Sequence, residues 1–248
     1  MKKIILAFAF LSTFFLHQSC SKDGGSSVNS DASSSGQNGS LTRFIIVANT
    51  LYTVSNDALQ VYNISNPSSP VFKSTQQVGF AIQTIFPYQD KLFIGSNNAM
   101  YIYSISNPET PTKISEVQYF VRGKDPIVAV DSVAYSTVRN AWGGGVLNTF
   151  NIKNIEQPRT ISATAMFNPY GLGIKDSALY VCEADSGLKI FNIVKPFVPT
   201  LKNKINFNEI AYDVIVKGNV LVCYIKGGVV LFDITNVHLP VLISIIKN

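Results

Sequence analysis

Two aspartates give the first chemistry to consider in this chain. Asp125 and Asp213 each stand at the start of a run of apolar residues, which places them at equivalent positions of two predicted strands. A pair of carboxylates about 5 to 10 Å apart, with the pKa of one raised by burial, can hydrolyse a glycosidic bond. These two residues define one candidate function, that of a carbohydrate-active enzyme.

The chain has too few histidines and cysteines for a zinc site or for a catalytic triad. His238 is the only histidine after residue 17, and the only cysteines after residue 20 are Cys182 and Cys223. A zinc site usually takes three or four Cys, His or carboxylate ligands, and a Ser–His–Asp triad takes a histidine as its base. We expect His238 to be a solvated turn residue, and we expect no metal and no cofactor.

Aromatic and basic side chains form the second candidate site. The candidate contact residues are Tyr119, Arg122, Lys124, Arg139, Trp142, Phe167 and Tyr170. A tryptophan and an arginine beside a glycine-rich stem suit a binding contact. The other basic residues are scattered, and the formal net charge of +5 falls to +3 without Lys2 and Lys3. Since nucleic-acid-binding proteins carry a basic stripe, we expect a protein or glycan ligand and no nucleic acid.

The elements that position these residues follow from an internal repeat. A segment with an isoleucine six residues before a proline recurs five times, with a spacing of 41, 47, 41 and 41 residues. The isoleucines are Ile64, Ile105, Ile152, Ile193 and Ile234. Each unit holds four short strand-like runs between turn residues, and four strands in about 41 residues is the size of one propeller blade. No stretch has the 3.6-residue apolar period of a helix.

The sequence therefore predicts an all-β fold, a five-bladed β-propeller with four antiparallel strands in each blade. The predicted blades cover approximately residues 42–78, 79–118, 119–165, 166–205 and 206–248. In each unit the first run is apolar and the fourth is polar, so we expect the first strand near the central axis and the fourth at the exposed outer edge. We expect the ring to close by packing the faces of blades one and five, without exchange of a strand.

Loop positions follow from this strand order. The connections that enter each first strand open on the same end of the ring as the loops between second and third strands. We call this the variable end, because the candidate contact residues and an insertion at 138–144 all fall there. Cys182 and Cys223 lie one repeat apart, and the spacing of about 10 Å between packed sheets is too large for a disulfide. We expect them to be buried free thiols.

The fifth unit carries a motif that resembles a known repeat. Residues 211–214 read Ala-Tyr-Asp-Val, and residues 231–236 read Leu-Phe-Asp-Ile-Thr-Asn. This unit resembles the LVIVD repeat of bacterial exported proteins, and the resemblance extends from Arg43 to about Ile246. The resemblance implies a β-propeller outside the cytoplasm, in which Asp213 satisfies backbone amides of its inner strand. It implies no defined activity.

The N-terminus has the pattern of an export signal. Lys2 and Lys3 precede an apolar run at residues 4–16, so residues 1–19 are predicted to be a signal peptide. Cys20, preceded by Ser19, resembles the lipidated cysteine of bacterial lipoproteins. Residues 20–41 are rich in Ser and Gly and are predicted to be a flexible tether to a folded part at 42–248. We expect an outer-membrane anchor through the lipid on Cys20, facing the periplasm or the cell surface.

Taken together, these features favour a binding or interaction scaffold at the bacterial cell envelope, without catalysis. The alternative is a carbohydrate-active enzyme, similar to the glycoside hydrolases with five-bladed propellers, that uses Asp125 and Asp213 at the mouth of the ring. Two carboxylates converging on one pocket would favour the enzyme.

Overall fold

The computed structural model describes residues 39–119, 126–140, 143–184 and 187–247. These residues form five antiparallel sheets of four strands each, and within these ranges no helix is long and apolar enough to cross a membrane. The chain is a five-bladed β-propeller, as the repeat predicts.

Each blade runs in chain order from its first to its fourth strand. Blade one contains β1 (Phe44–Val47), β2 (Thr50–Val54), β3 (Ala58–Asn63) and β4 (Val71–Gln77). Blade two contains β5 (Ile82–Tyr88), β6 (Lys91–Ser96), β7 (Ala99–Ser104) and β8 (Thr112–Gln118). Blade three contains β9 (Ile127–Val130), β10 (Val133–Arg139), β11 (Gly145–Asn151) and β12 (Arg159–Met166). Blade four contains β13 (Pro169–Lys175), β14 (Ala178–Glu183), β15 (Gly187–Asn192) and β16 (Thr200–Ile205). Blade five contains β17 (Ala211–Lys217), β18 (Val220–Ile225), β19 (Gly228–Asp233) and β20 (Val241–Lys247).

The position of each strand follows its polarity. The first strands of consecutive blades approach one another, whereas the fourth strands are mostly exposed. The first strand is therefore inner and the fourth is outer, as predicted. A β-bulge interrupts the pairing of the third and fourth strands at the same place in every blade, which shows that the repeat extends to backbone detail.

The apolar core lies between consecutive blades. Four buried clusters join blades one and two, two and three, three and four, and four and five. Ile45 and Ile85 belong to the first of these clusters, and Tyr180 and Leu221 belong to the last. Apolar burial of this kind contributes about 25 cal/mol for each Å² removed from water, so blade-to-blade packing is the main source of stability.

Tyrosines of the second strand fasten three blades to the blade that follows. Each hydroxyl donates to a backbone carbonyl in the next blade, over 2.9, 2.6 and 2.7 Å. The donors are Tyr52, Tyr135 and Tyr180, and the acceptors are Pro108, Pro196 and Val237. Phe93 occupies this position in blade two and Val222 in blade five, so blade five lacks the hydroxyl that would reach a following blade.

Ring closure differs in part from the sequence-based expectation. Among the described strands none is exchanged between blades one and five, which confirms that part of the prediction. However, none of the four buried clusters joins described residues of these two blades. Phe44 and Ile46 of blade one are 57% and 48% exposed, and Tyr224 of blade five is 54% exposed. The expected packing of the two sheet faces is therefore not found in the described part of the chain.

The residues before β1 bridge several blades near the axis instead. Ser40 donates to the Asp213 carboxylate of blade five over 3.1 Å and accepts from the Leu172 amide of blade four over 2.8 Å. The Thr42 carbonyl accepts from the Ile85 amide of blade two over 3.0 Å. Residues 39–41 fall in the predicted tether, yet Ser40 is fully buried against the inner strands.

His238 also joins two blades rather than facing solvent. Its ring is half-buried, with Nε2 3.1 Å from the Ser177 hydroxyl of blade four. Its carbonyl accepts from the Asn203 side chain over 3.3 Å. The expectation of a solvated turn residue is wrong, because the turn that carries His238 packs against the preceding blade.

Candidate binding site

The variable end holds a cluster built from three blades. Arg139 ends β10 and Tyr170 lies at the start of β13, in the neighbouring blade. The Arg139 guanidinium carbon lies 3.9 Å from the centre of the Tyr170 ring, the geometry of a cation–π contact. The Thr137 hydroxyl also donates to the Tyr170 carbonyl, so backbone and side chain of Tyr170 are both held to blade three.

Two further tyrosines extend this contact across blade five. The rings of Tyr170 and Tyr212 meet edge to face with centroids 5.5 Å apart, and the rings of Tyr212 and Tyr224 lie 5.4 Å apart. We call Tyr170, Tyr212 and Tyr224 the tyrosine row. Tyr224 is 54% exposed, so the row ends at the protein surface.

Shifts in strand pairing set the direction of the Tyr170 and Tyr212 side chains. The pairing of β13 with β14 shifts between Pro169 and Leu172, and the pairing of β17 with β18 shifts between Ala211 and Asp213. Tyr170 and Tyr212 lie within these shifts. An extra residue in one strand bends the strand and redirects side chains, and bulges are frequent next to functional sites.

A shallow depression is lined by residues that lie close to Tyr212 and Tyr224 in the chain. Its walls come from the connection between β16 and β17 and from the turn after β18. The lining residues are Asn206, Asn208, Glu209, Ile210 and Lys226. Its amide, carboxylate and ammonium groups can hydrogen-bond a polar ligand, and aromatic rings such as those of the row can contact apolar faces of a ligand.

Phe167 is a second exposed aromatic residue of the variable end. It is 64% exposed, and its amide donates to the Glu183 carboxylate. Glu183 is fully buried and forms an ion pair with Lys189. The pairing offsets the cost of burying the carboxylate, and the hydrogen bond fixes the backbone on which Phe167 stands.

Tyr119 has a different position from the other candidate contact residues. It packs against Phe150 with ring centroids 5.7 Å apart, beside the buried cluster between blades two and three. Tyr119 therefore supports the core, and the structure does not bring it into the Arg139 cluster.

Several candidate residues lie outside the described residues. These are Cys20, Arg122, Lys124, Asp125 and Trp142. The turn that carries position 142 is described at its base: the Asn140 amide donates to the Gly144 carbonyl over 3.0 Å. Gly143 and Gly144 have φ angles of 89° and 77°, which glycine adopts without strain. The expected insertion at 138–144 is therefore too long by two residues: β10 extends to Arg139, and the loop starts directly after it, at the edge of the cluster.

Asp213 is held as a structural carboxylate. It accepts hydrogen bonds from the Val214 amide at 2.9 Å, from the Ser40 hydroxyl and, over 3.4 Å, from the Leu41 amide. A Cβ added at Gly171 would lie 1.9 Å from its Oδ1, so this glycine is required by the close approach. Burial raises the pKa of Asp213 from 3.8 to about 6, although its hydrogen bonds lower it.

Metal ligands and thiols offer no further site in the described ranges. No group of three His, Cys, Asp or Glu side chains there is placed to hold a metal ion. Cys182 and Cys223 are buried free thiols, as predicted, in the cluster between blades four and five. Burial, followed by hydrogen bonding with Cys223, raises the pKa of Cys182. The two thiols are therefore in contact within one buried cluster, and the expected separation of about 10 Å is wrong.

The signal that could have found the complete row is the repeat itself. Tyr170 and Arg139 are both predicted from the sequence, and Tyr212 starts the equivalent strand of the next blade. Tyr224 is missed, because it lies near the end of a second strand, and only the three-dimensional structure shows that its ring contacts Tyr212.

Known structures are similar to this chain in fold. No protein-family model and no curated protein matches it. A protein from Lactobacillus plantarum superposes with a TM-score of 0.63 at 13% identity, over 82% of this chain and 69% of that one. The computationally designed Ika8 protein gives 0.62 at 10% identity, over 82% and 60%. BamB from Moraxella catarrhalis gives 0.59 at 12% identity, over 76% and 55%.

These similarities concern the fold alone. At 10 to 13% identity they support a β-propeller and carry no function. The chain spans about 60% of the designed protein's length and 55% of BamB.

Proposed function

We propose that the chain is an exported, lipid-anchored β-propeller that binds a protein or glycan ligand at the bacterial cell envelope, without catalysis. The observation that carries the proposal is the tyrosine row at the variable end, together with Arg139 stacked on its first ring. A resemblance to the LVIVD repeat and the lipoprotein-like N-terminus support the location.

The row has the properties of a preorganised contact surface. Tyrosine offers a large, rigid, amphipathic contact area at a small cost in conformational entropy, and Tyr and Arg are enriched among residues that dominate binding energy. Here the rings stand on strands of blades four and five, and the Arg139 guanidinium of blade three stacks on Tyr170. Binding therefore requires little ordering of the protein, which favours affinity.

The surroundings of the row are suited to a ligand with both polar and flat apolar groups. The depression lined by Asn206, Asn208, Glu209, Ile210 and Lys226 supplies hydrogen-bond donors and acceptors next to Tyr212 and Tyr224 in the chain. A glycan, or a peptide segment with exposed amides and rings, has this chemistry.

Two described acids of the variable end make contacts within the protein, whereas Asp125 lies outside the described residues. Asp213 is engaged by Ser40, Leu41 and Val214, and Glu183 is paired with Lys189. A raised pKa is a property of catalytic acids, but here it follows from enclosure of the carboxylate beside Gly171. No observation on the described residues favours the carbohydrate-active enzyme over the binding protein.

The test measures binding to two named probes, a glycan array and a detergent extract of the cell envelope. We expect the full chain to retain glycans of one class or one envelope protein. Arg139→Ala and Tyr224→Ala should each weaken that binding several-fold with an unchanged melting temperature. Phe72→Ala is the matched control, because Phe72 is equally exposed but lies on the outer strand of blade one. Equal binding by the three variants would contradict the proposed site.

A further inference from the structure

The outer strand of blade five differs in composition from the other four outer strands. β20 reads Val-Leu-Ile-Ser-Ile-Ile-Lys, and five of its side chains are aliphatic and 51 to 65% exposed. The strands β4, β8, β12 and β16 carry charged or amide residues or threonine at many of these positions. Blade five therefore exposes apolar residues where its neighbours expose polar ones.

β20 is also an open sheet edge. It pairs with β19 on one side, and on the other side no described strand pairs with it. An exposed apolar edge strand recruits a further strand, because its unpaired N–H and C=O groups offer a ready ladder. The bulge at Ile243 recurs in all five blades, so it does not protect β20 more than the other outer strands.

The sequence of β20 is nearly symmetric about Ser244. If two copies of β20 pair in antiparallel register at Ser244, Ile243 faces Ile245 of the other copy, and Leu242 faces Ile246. Lys247 then faces Val241, so the two positive charges are kept apart. A two-fold interface requires a surface that complements itself, and this strand meets the requirement.

The outer strand of blade four shows the opposite arrangement. Its central residue is Asn203, with Lys202 on one side and Lys204 on the other. The same antiparallel pairing would place Lys202 of one copy opposite Lys204 of the other, and like charges directly opposite destabilise a pair of strands. Such lysines protect sheet edges from association, and β20 has none beside its central Ser244, since its one lysine, Lys247, is its last residue.

We propose that two copies of this chain associate through antiparallel pairing of their β20 strands about Ser244, which joins the two fifth blades into one eight-stranded sheet. The interface is independent of the tyrosine row and of its ligand.

A cysteine cross-link tests the register. In Ser244→Cys the two new thiols lie directly opposite each other, and opposite Cα atoms about 4.5 to 5.5 Å apart are within the range of a disulfide. Oxidation by air with a copper catalyst joins the two thiols and reduces oxygen. The full chain, purified in mild detergent, should run as a covalent dimer on a non-reducing gel, at several times the yield of Ser162→Cys.

Ser162→Cys is the matched control, because Ser162 has the same position in the outer strand of blade three. Both variants contain Cys20, so any link through that residue appears equally in both. Equal dimer yield from the two variants would overturn the proposal, and so would a cross-link from Ser244→Cys to a different protein only.

A charge variant gives a second, independent readout. Ile245→Lys places two ammonium groups on diagonally related positions of the paired strands, about 7 to 8 Å apart. Sedimentation should then show a monomer with an unchanged melting temperature, while Ala163→Lys, at the equivalent position of β12, should remain a dimer like the native chain. A native chain that sediments as a monomer, or an Ile245→Lys variant that remains dimeric, would overturn the proposal.

Discussion

Protonation of Asp213 should make the domain more stable in mild acid. Burial raises the pKa of this carboxyl from 3.8 to about 6, so between these two pH values the folded chain binds a proton that the unfolded chain releases. The protonated carboxyl therefore adds to the free energy of unfolding. This contribution is complete below pH 3.8 and is lost as the pH rises through 6. A shift of about 2 units corresponds to about 3 kcal/mol of unfolding free energy.

Urea unfolding of the native chain and of Asp213→Asn at pH 4, 5, 6 and 7 measures this contribution. Asparagine imitates the neutral acid, and its oxygen can still accept from the Val214 amide and the Ser40 hydroxyl. As the pH rises from 4 to 7, the native chain should lose about 2 to 3 kcal/mol of unfolding free energy relative to the variant, because asparagine does not ionise.

A carboxyl with the opposite shift provides the control. The Asn63 side chain and then the Lys73 ammonium hold the pKa of Glu109 below its usual range, so any stability from Glu109 is lost as the pH falls. Glu109→Gln should therefore not reproduce the effect of Asp213→Asn. Parallel pH profiles for the native chain and Asp213→Asn would refute the argument that burial governs this carboxyl.

Three further predictions concern the anchor, the blade contacts and the candidate site. Cys20→Ser should move the protein from the membrane fraction to the soluble fraction, and a native chain that is already soluble would contradict the anchor. Tyr180→Phe removes the hydrogen bond to the Val237 carbonyl and should cost about 1 to 2 kcal/mol in urea unfolding; no loss would show that the bond is dispensable. Trp142→Ala and Arg139→Ala should change the unfolding free energy by less than about 0.5 kcal/mol in the same assay while weakening ligand binding. If either variant unfolds, the replaced side chain supports the core and not the binding site.

The fold could be predicted because the repeat constrains it at many points at once. Spacing of the isoleucines from Ile64 to Ile234 gives the number of blades, and the polarity of first and fourth runs gives their orientation. Each of these signals is local and occurs in all five blades. A misleading residue in one blade therefore does not change the prediction.

The contacts that join distant residues could not be predicted in this way. The bond between Ser40 and Asp213 spans 173 positions and belongs to no repeat. The exposure of Phe44 in blade one and of Tyr224 in blade five could not be predicted either, because the repeat gives the same signal for packed and exposed blade faces. Arg139 and Tyr170 were predicted at the same end of the ring, but their stacking depends on a bulge that the sequence does not mark.

The most direct test of the account places a photo-reactive amino acid at the tyrosine row. p-Benzoylphenylalanine at position 224, introduced into the full chain in living cells, should form an adduct of higher mass on irradiation, because Tyr224 ends the row at the exposed surface. The same amino acid at position 72, on the outer strand of blade one, should form none. Adducts of equal yield at both positions, or at neither, would contradict a ligand-binding function of the variable end.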